Sequence, residues 1–372
     1  MKSNYKKDVS YRIKVLLKGH MALFKDENLL VTYNRGNICT YNIKTMELLK
    51  KNKVPFQKSR YYFISKFYIF SRIFRLFPRA FCQSDNMLYF GMRGNIYFID
   101  LLNHNIVIDH KLVAGGSSPL MISNIEYLNN FENMVVFGEY ISNKDKSKIS
   151  IWGKKQGEKK WNIIFTFPEK TINHIHAIIP DKFRNIVWIL TGDCDDCSAI
   201  WYSDNNFKSV VKFVGGTQKY RSCVAFPTKK GLLFATDSPN KDNSFSLLNE
   251  KRELNVISDL PGSVIFGREI NDGYVFSTTV EPFEDEERGK IADLFIRKKG
   301  PGIKTNNAHI YLYHENKLIE VFSAKKDIFP MVLMQFGLFT FPIGSFGSSE
   351  LMVNSQSLKK YGNSILLITK IT

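Results

Sequence analysis

The segment HIHAIIPD places His174 and His176 two residues apart in a run that reads as a strand, so their imidazoles project to one side and can converge. Two imidazoles joined by a carboxylate form the ligand set of a divalent cation that polarises a substrate. Asp193, in TGDCDD where the strand NIVWIL runs out into a loop, or Glu139 in FGEY, would supply that carboxylate, and Asp195 shares the loop. Nothing in the sequence requires a cofactor, but a metal at His174, His176 and Asp193 stays open. Either histidine serves equally as a hydrogen-bonded structural residue.

The same grammar, a polar group at the end of an apolar run, recurs along the chain. It gives Tyr140 beside Glu139, then Gln218, Tyr220 and Arg221 in GTQKYR, Asp237 in ATDSP and Glu281 in TTVEP. Arg221 is the natural clamp for a carboxylate, because a guanidinium engages both oxygens at once. If these strand ends share one face, Glu139, His174, His176, Asp193, Arg221, Asp237 and Glu281 meet in one pocket; taken singly, the aspartates among them are also turn formers. Cys194-x-x-Cys197 lies in the same loop. With no second C-x-x-C and no thioredoxin-like context, it reads as an unlinked pair in a turn. The acidic run Glu284 to Glu287 reads as a solvated loop.

Such groups need a scaffold, and the scaffold is written as short strands. NMLYFGM, GNIYFID, NMVVFGEY, KISIWGK, NIIFTF, GLLFATD, HIYLYH and SILLITKI are rich in β-branched and aromatic residues and are separated by Asn, Asp, Gly, Ser and Lys. The unit repeats. ENLLVTYNRGNICTYNIKTMELLKK is echoed by DNMLYFGMRGNIYFIDLLNHNIVIDHK, and both copies set an Arg-Gly-Asn-Ile turn between two strands, at residues 35–38 and 93–96. Repeats of this length predict an all-β chain folded as a single β-propeller domain over residues 1–372. Seven blades of about 53 residues fit the 372 residues better than six of about 62, given one inserted helix.

That helix is expected near residues 61–80, as a basic amphipathic insertion over 58–81. On a helical wheel Ser65, Arg72, Arg75 and Arg79 fall in one sector while Phe63, Phe67, Phe70, Phe74 and Phe77 fill much of the rest, with Lys66 fitting the stripe poorly. Residues 1–80 hold 18 Lys/Arg against 4 Asp/Glu, whereas residues 81–372 hold 34 against 31, so the excess of +17 is almost wholly N-terminal. A cationic stripe beside a phenylalanine face predicts docking on an anionic membrane surface through Arg72, Arg75, Arg79, Phe70 and Phe74. The alternative is a solvated basic face on a helix held in the core. No helix-turn-helix, zinc-finger or RNP pattern accompanies the charge, which argues against nucleic acid. The 30 Phe and 17 Tyr exclude a disordered chain, and five scattered cysteines argue against a disulfide-stapled scaffold. The first residues show no secretory signal, and no window is long and apolar enough to span a bilayer, so the expected setting is cytoplasmic, peripheral on the inner membrane face.

IWYSDNNFKSV resembles a degenerate Asp-box, the S-x-D-x-G-x-x-W hairpin of sialidase-like (BNR) propellers, with Ser203 and Asp204 retained and Asn206 and Val210 standing for the Gly and Trp. Residues 135–285 are similar to BNR-like propellers that accompany bacterial polysaccharide biosynthesis and are described as sialidase-like or glycosyl hydrolase. The box argues fold, since it is a structural turn. The resemblance implies a glycan ligand, an acidic or lipid-linked sugar. Sialidase chemistry would need three arginines, for which Arg221, Arg184 and Arg268 stand, and a Tyr/Glu pair with an Asp acid, for which Tyr140, Tyr220, Glu139 and Asp193 are nominated. Resemblance to propeller-type polysaccharide lyases instead casts His174 or His176 as base and Tyr220 as acid near an arginine or metal. The expectation is therefore a glycan-binding or glycan-modifying propeller, glycosidase- or lyase-like if enzymatic. A non-catalytic scaffold for protein partners is the alternative.

Overall fold

The two Arg-Gly-Asn-Ile segments show how local sequence makes a blade. In both, Arg and Gly occupy the two central positions of a hairpin loop with positive φ, 44° and 80° at Arg35 and Gly36, 50° and 71° at Arg93 and Gly94. This left-handed pair matches the twist of the flanking strands. The following asparagine explains why the motif recurs: Asn37 Nδ2 donates to Arg35 O at 3.3 Å and Asn95 Nδ2 to Arg93 O at 3.0 Å, closing the loop from inside. Strands Leu29–Asn34 and Asn37–Asn42 pair across the first loop, and Met87–Met92 and Asn95–Asp100 across the second.

The computed structural model describes residues 10–112, 118–284, 291–344 and 346–371. Its strands form seven sheets, six of four strands and one of five, and the fold is a seven-bladed β-propeller as the repeat length predicts. Arg79–Ser84, Met87–Met92, Asn95–Asp100 and Ile106–Lys111 make one sheet in chain order; Ile122–Ile125, Met134–Gly138, Ile149–Lys155 and Asn162–Phe167 make the next. His174–Asp181, Ile186–Gly192, Ala199–Ser203 and Val211–Gly215 follow, then Ser222–Thr228, Gly231–Thr236, Asn243–Leu248 and Leu254–Leu260. The first described strand, Tyr11–Lys18, pairs with Ser364–Lys370, so both ends of the described chain lie in one sheet. Contacts gather in two compact units. One runs through Phe77 and includes Asp237–Phe245 and Val256 onward; the other is Pro78–Thr236 with Ser246–Asn255. Inner strand faces supply each unit's core, for example Phe137 against Trp152 and Trp161 in the second unit, where truncation to alanine costs about 3–5 kcal/mol.

The insertion departs from expectation. It is two short helices, Ser59–Ile64 and Tyr68–Ile73, and Arg79 already begins a strand. Aromatic and β-branched residues are weak helix formers, and Ser65 ends the first helix with its Oγ donating to Tyr62 O at 2.6 Å. The break also seats the insertion on the first hairpin. Tyr62 OH donates to Asn37 Oδ1, Lys66 Nζ to Arg35 O, and a Cβ at Gly36 would fall 2.3 Å from Ser65 Oγ. The second helix ends where Arg75 turns left-handed at φ 54°.

Breaking the helix rotates the arginine stripe inward. Arg72 is 1% exposed; its guanidinium donates to Asp327 Oδ2 at 2.7 Å, Met334 O at 2.7 Å and Ser357 Oγ at 2.9 Å. Arg75 stays exposed while donating to Val332 O. In the other unit, Arg79 donates to Pro119 O at 3.1 Å and to Ser118 O. The predicted membrane-facing stripe of Arg72, Arg75 and Arg79 is therefore not formed, whereas Phe70 and Phe74 are exposed as expected. No helix among the described residues is long and apolar enough to cross a membrane. Of the acidic run, residues 285–287 lie outside the described residues.

Candidate functional site

The histidine pair sits on strand His174–Asp181, and the pairing is more specific than simple alternation. Ile175 faces Thr191 and Ala177 faces Leu190, leaving His176 as the extra residue of a bulge. Equivalent register shifts fall early in the first strands of other sheets, between Arg79 and Phe81 and between Ser222 and Val224. In this sheet the bulged position carries an imidazole. It has room because its neighbour is Gly192, where a Cβ would lie 2.4 Å from His176 Cε1.

Both rings have one nitrogen tied down. His174 Nδ1 lies 3.1 Å from Ile141 O and His176 Nδ1 lies 3.0 Å from Ser222 O. A carbonyl only accepts, so each Nδ1 carries a hydrogen, and in the neutral ring each Nε2 then presents a lone pair. The two Nε2 atoms face each other at 3.1 Å, and the Asp193 carboxylate meets them at 3.1 Å from His174 and 3.2 Å from His176. Asp193 is fixed in turn by Arg221. Nη2 reaches Oδ1 at 2.9 Å and Nη1 the backbone carbonyl at 3.1 Å, while Gln218 Nε2 reaches that carbonyl at 2.8 Å. Burial pushes the Asp193 carboxyl up, but the attraction of its neighbours, the Arg221 guanidinium first among them, outweighs burial and holds the carboxyl well below the usual carboxylate range. The histidines are buried, while the Asp193 side chain keeps 26% exposure and opens the cluster to solvent.

Two imidazole nitrogens and a carboxylate at such separations suit a shared positive centre. Ligand arms of about 2.2 Å at right angles place neighbouring ligand atoms about 3.1 Å apart, the spacing found here. His174, His176 and Asp193 therefore fit a divalent ion bound on one face, with the carbonyl-held Nδ1 groups as the usual outer support.

Tyr140 adjoins the cluster, its ring centroid 4.3 Å from that of His174, and the Arg79 guanidinium lies 5.1 Å over the Tyr140 ring. Arg79 in this role escaped the sequence reading; its one signal is its position after Pro78 at the start of a strand.

Other nominated residues are placed differently. Arg221 and Gln218 position Asp193 rather than offering a free clamp. Glu139 accepts from Ser150 N at 2.8 Å and Trp152 Nε1 at 2.9 Å, which turns its carboxylate into the blade. Tyr220 ends a short turn, Gln218–Tyr220, and packs on the cluster of Ala177, Leu190 and Phe234 instead of on the histidines. Asp195 is exposed in the turn. Asp237 and Glu281 are buried in the other unit, Glu281 accepting from Thr279 Oγ1 at 2.8 Å. Arg184 is bound to Asp181 and Glu250, and Arg268 lies in the other unit. Cys194 and Cys197, read as unlinked, are joined in a disulfide, as Cα atoms 5.0 Å apart across a tight turn permit.

No family profile and no curated protein matches this chain. Solved structures do. An oligogalacturonate lyase in complex with manganese aligns at TM-score 0.57 and 11% identity, covering 99% of this chain and 95% of that one. The WD40 propeller domain of Doa1 aligns at 0.53 and 11%, covering 97% of each chain. The propeller domain of Cps50 (Swd1) from Myceliophteria thermophila aligns at 0.52 and 8%, covering 97% of this chain and all of that one. At these identities the likeness is one of fold, a propeller shared by enzymes and scaffolds alike.

Proposed function

We propose that the second unit binds a divalent cation through His174, His176 and Asp193 and uses it to engage the carboxylate of an acidic glycan, with lyase-type elimination as the reaction. The observation that carries this reading is the convergence of two Nε2 lone pairs and a carboxylate while each Nδ1 is held by a backbone carbonyl. Charge supports an anionic ligand. A doubly charged ion together with Arg221 exceeds the single negative charge of Asp193, and the excess calls for an anion. A cation bound there would polarise a uronate carboxylate and ease loss of the proton alpha to it.

With their Nε2 atoms given to a cation, neither histidine is the base, and the proton-transfer role expected of Tyr220 passes to Tyr140, the phenol beside His174. In the elimination the Tyr140 oxygen takes the alpha proton and returns a proton to the oxygen leaving the beta carbon, so one C–H and one C–O bond break, a C=C bond forms, and an unsaturated sugar and a free hydroxyl remain. The likeness to an oligogalacturonate lyase in complex with manganese supports this class, and the resemblance of residues 135–285 to BNR-like propellers supports a role in surface-polysaccharide assembly.

Calorimetric titration with Mn²⁺ tests the reading. One equivalent should bind the wild type, and His176→Ala should weaken binding by at least about a hundredfold. Oligogalacturonate should then yield a product with the ultraviolet absorbance of an unsaturated uronate, and Tyr140→Phe should suppress that yield without changing Mn²⁺ affinity. Binding indifferent to His176→Ala overturns the cation site. Metal binding with no acidic glycan retained or cut favours the scaffold alternative.

A further inference from the structure

The insertion leaves an apolar surface that its own fold does not cover. Phe63 is 68% exposed, Phe67 61%, Phe70 49%, Ile69 48% and Phe74 38%, and the rings touch one another, Phe67 and Phe70 at a 6.0 Å centroid distance. Single exposed hydrophobics are ordinary; five within residues 63–74 are not. The loop gripped by Arg72 through Asp327 extends the surface with Ile328, 73% exposed, and Phe329, whose ring lies 5.2 Å from the Arg72 guanidinium.

Charge within the insertion has one sign. No acidic residue occurs between Glu47 and Asp85, while Lys51, Lys53, Lys58, Arg60, Lys66 and Arg75 lie in that stretch. Lys53 and Lys66 stand over the Tyr62 ring at 5.3 and 3.8 Å, so cations border the aromatic surface. The platform is also held firm. Arg72, with its three partners, and Tyr62 on Asn37 anchor the insertion, so docking would not have to order it first.

We propose that this face, centred on Phe63, Phe67 and Phe70, docks on an anionic membrane surface, the phenylalanines entering the acyl boundary and the lysines and arginines meeting lipid phosphates. Phenylalanine, with no polar tip, belongs in hydrocarbon, and a cationic insertion with no carboxylate of its own matches a layer of negative headgroups. The arginine stripe read from the helical wheel is not the agent. Arg72 and Arg79 are spent inside, and the attraction comes from Arg75 and from lysines and arginines outside that stripe.

Co-sedimentation of the full chain with vesicles tests this. Vesicles of phosphatidylglycerol and phosphatidylcholine should carry it down, and pure phosphatidylcholine should bind at least about tenfold less. Added salt should weaken binding. Phe63→Ser with Phe67→Ser and Phe70→Ser should reduce binding at least about tenfold, as should Lys58→Glu with Arg60→Glu, and the thermal midpoint should confirm that both variants fold. Loss of folding in the first variant would leave the second as the deciding measurement. Equal binding to neutral vesicles, no binding to either, or sedimentation that ignores both sets of changes overturns the proposal. So does a wild-type dimer, seen by analytical ultracentrifugation, that the phenylalanine variant abolishes, since the surface would then belong to a second copy.

Discussion

Two buried arginines each clasp an aspartate, and only one of the pairs has chemistry left over. Arg72 holds Asp327, whose other oxygen accepts from Lys326 and from Phe329 N at 3.1 Å; every oxygen has a donor. Arg221 holds Asp193, whose carboxylate faces the Nε2 atoms of two imidazoles whose Nδ1 atoms are each held by a backbone carbonyl. In both the arginine is buried and ion-paired. What separates a structural lock from a candidate site is what else the aspartate meets: the first is surrounded by donors, and the second turns two imidazole Nε2 atoms toward its carboxylate.

The largest expected effect tests the closed pair. Arg72→Ala removes the buried donor shared by Asp327 Oδ2, Met334 O and Ser357 Oγ, so urea unfolding should show a loss of about 3–5 kcal/mol. Replacing the charged set together, as Arg72→Met with Asp327→Leu and Lys326→Met, should recover most of that loss, because a lock needs only to be filled. The matching change in the other unit, Arg221→Met with Asp193→Leu, should not recover, because it removes the carboxylate and leaves the facing Nε2 atoms without a counterpart.

Metal supplies the second contrast. At a hundredfold excess over its dissociation constant, Mn²⁺ should stabilise the wild type by about 2.7 kcal/mol, read as a rise in thermal midpoint. Asp193→Ala should erase the rise. Arg72→Ala, though less stable from the start, should still show it in full.

The two pairs should also answer pH at opposite ends. Asp193 is held well below the ordinary carboxylate range, so its contribution is complete above that range and is lost as pH falls through the folded value, where the unfolded chain already binds the proton. Lys326 is lowered from 10.5, burial outweighing the attraction of Asp327. Between its folded value and 10.5 the unfolded chain binds more protons, so stability should rise with pH through that window. Unfolding midpoints followed across pH should lose the acid limb in Asp193→Asn and the alkaline limb in Lys326→Met.

Much of this was legible because it is local. Period-two strands, the Arg-Gly-Asn-Ile loops and the spacing of His174 and His176 all act over a few residues. What could not be read is what the chain settles at a distance. Arg72 meets Asp327 across 255 residues, and Arg221 meets Asp193 across 28. A helical wheel presupposes one unbroken helix, so the turn at Ser65 was enough to send Arg72 inward. Likewise Tyr220 and Arg221 are neighbours in sequence, yet the turn at 218–220 sends one to an apolar cluster and the other to the aspartate.

The smallest expected effect sharpens the comparison from its exposed side. Asp196 lies in the same turn as Asp193 and is paired with Lys146 at 2.6 Å, but its side chain is 74% exposed. The hydrogen bond from Lys146 lowers its carboxyl pKa, yet solvent screens the pair, and exposed pairs contribute between zero and about 1 kcal/mol. Asp196→Asn should therefore shift the unfolding midpoint little and leave Mn²⁺ affinity unchanged. A large loss of affinity in that variant would mean that the charge of the whole turn draws the cation, and the distinction between a filled and an unfilled aspartate would no longer be needed to explain where it binds.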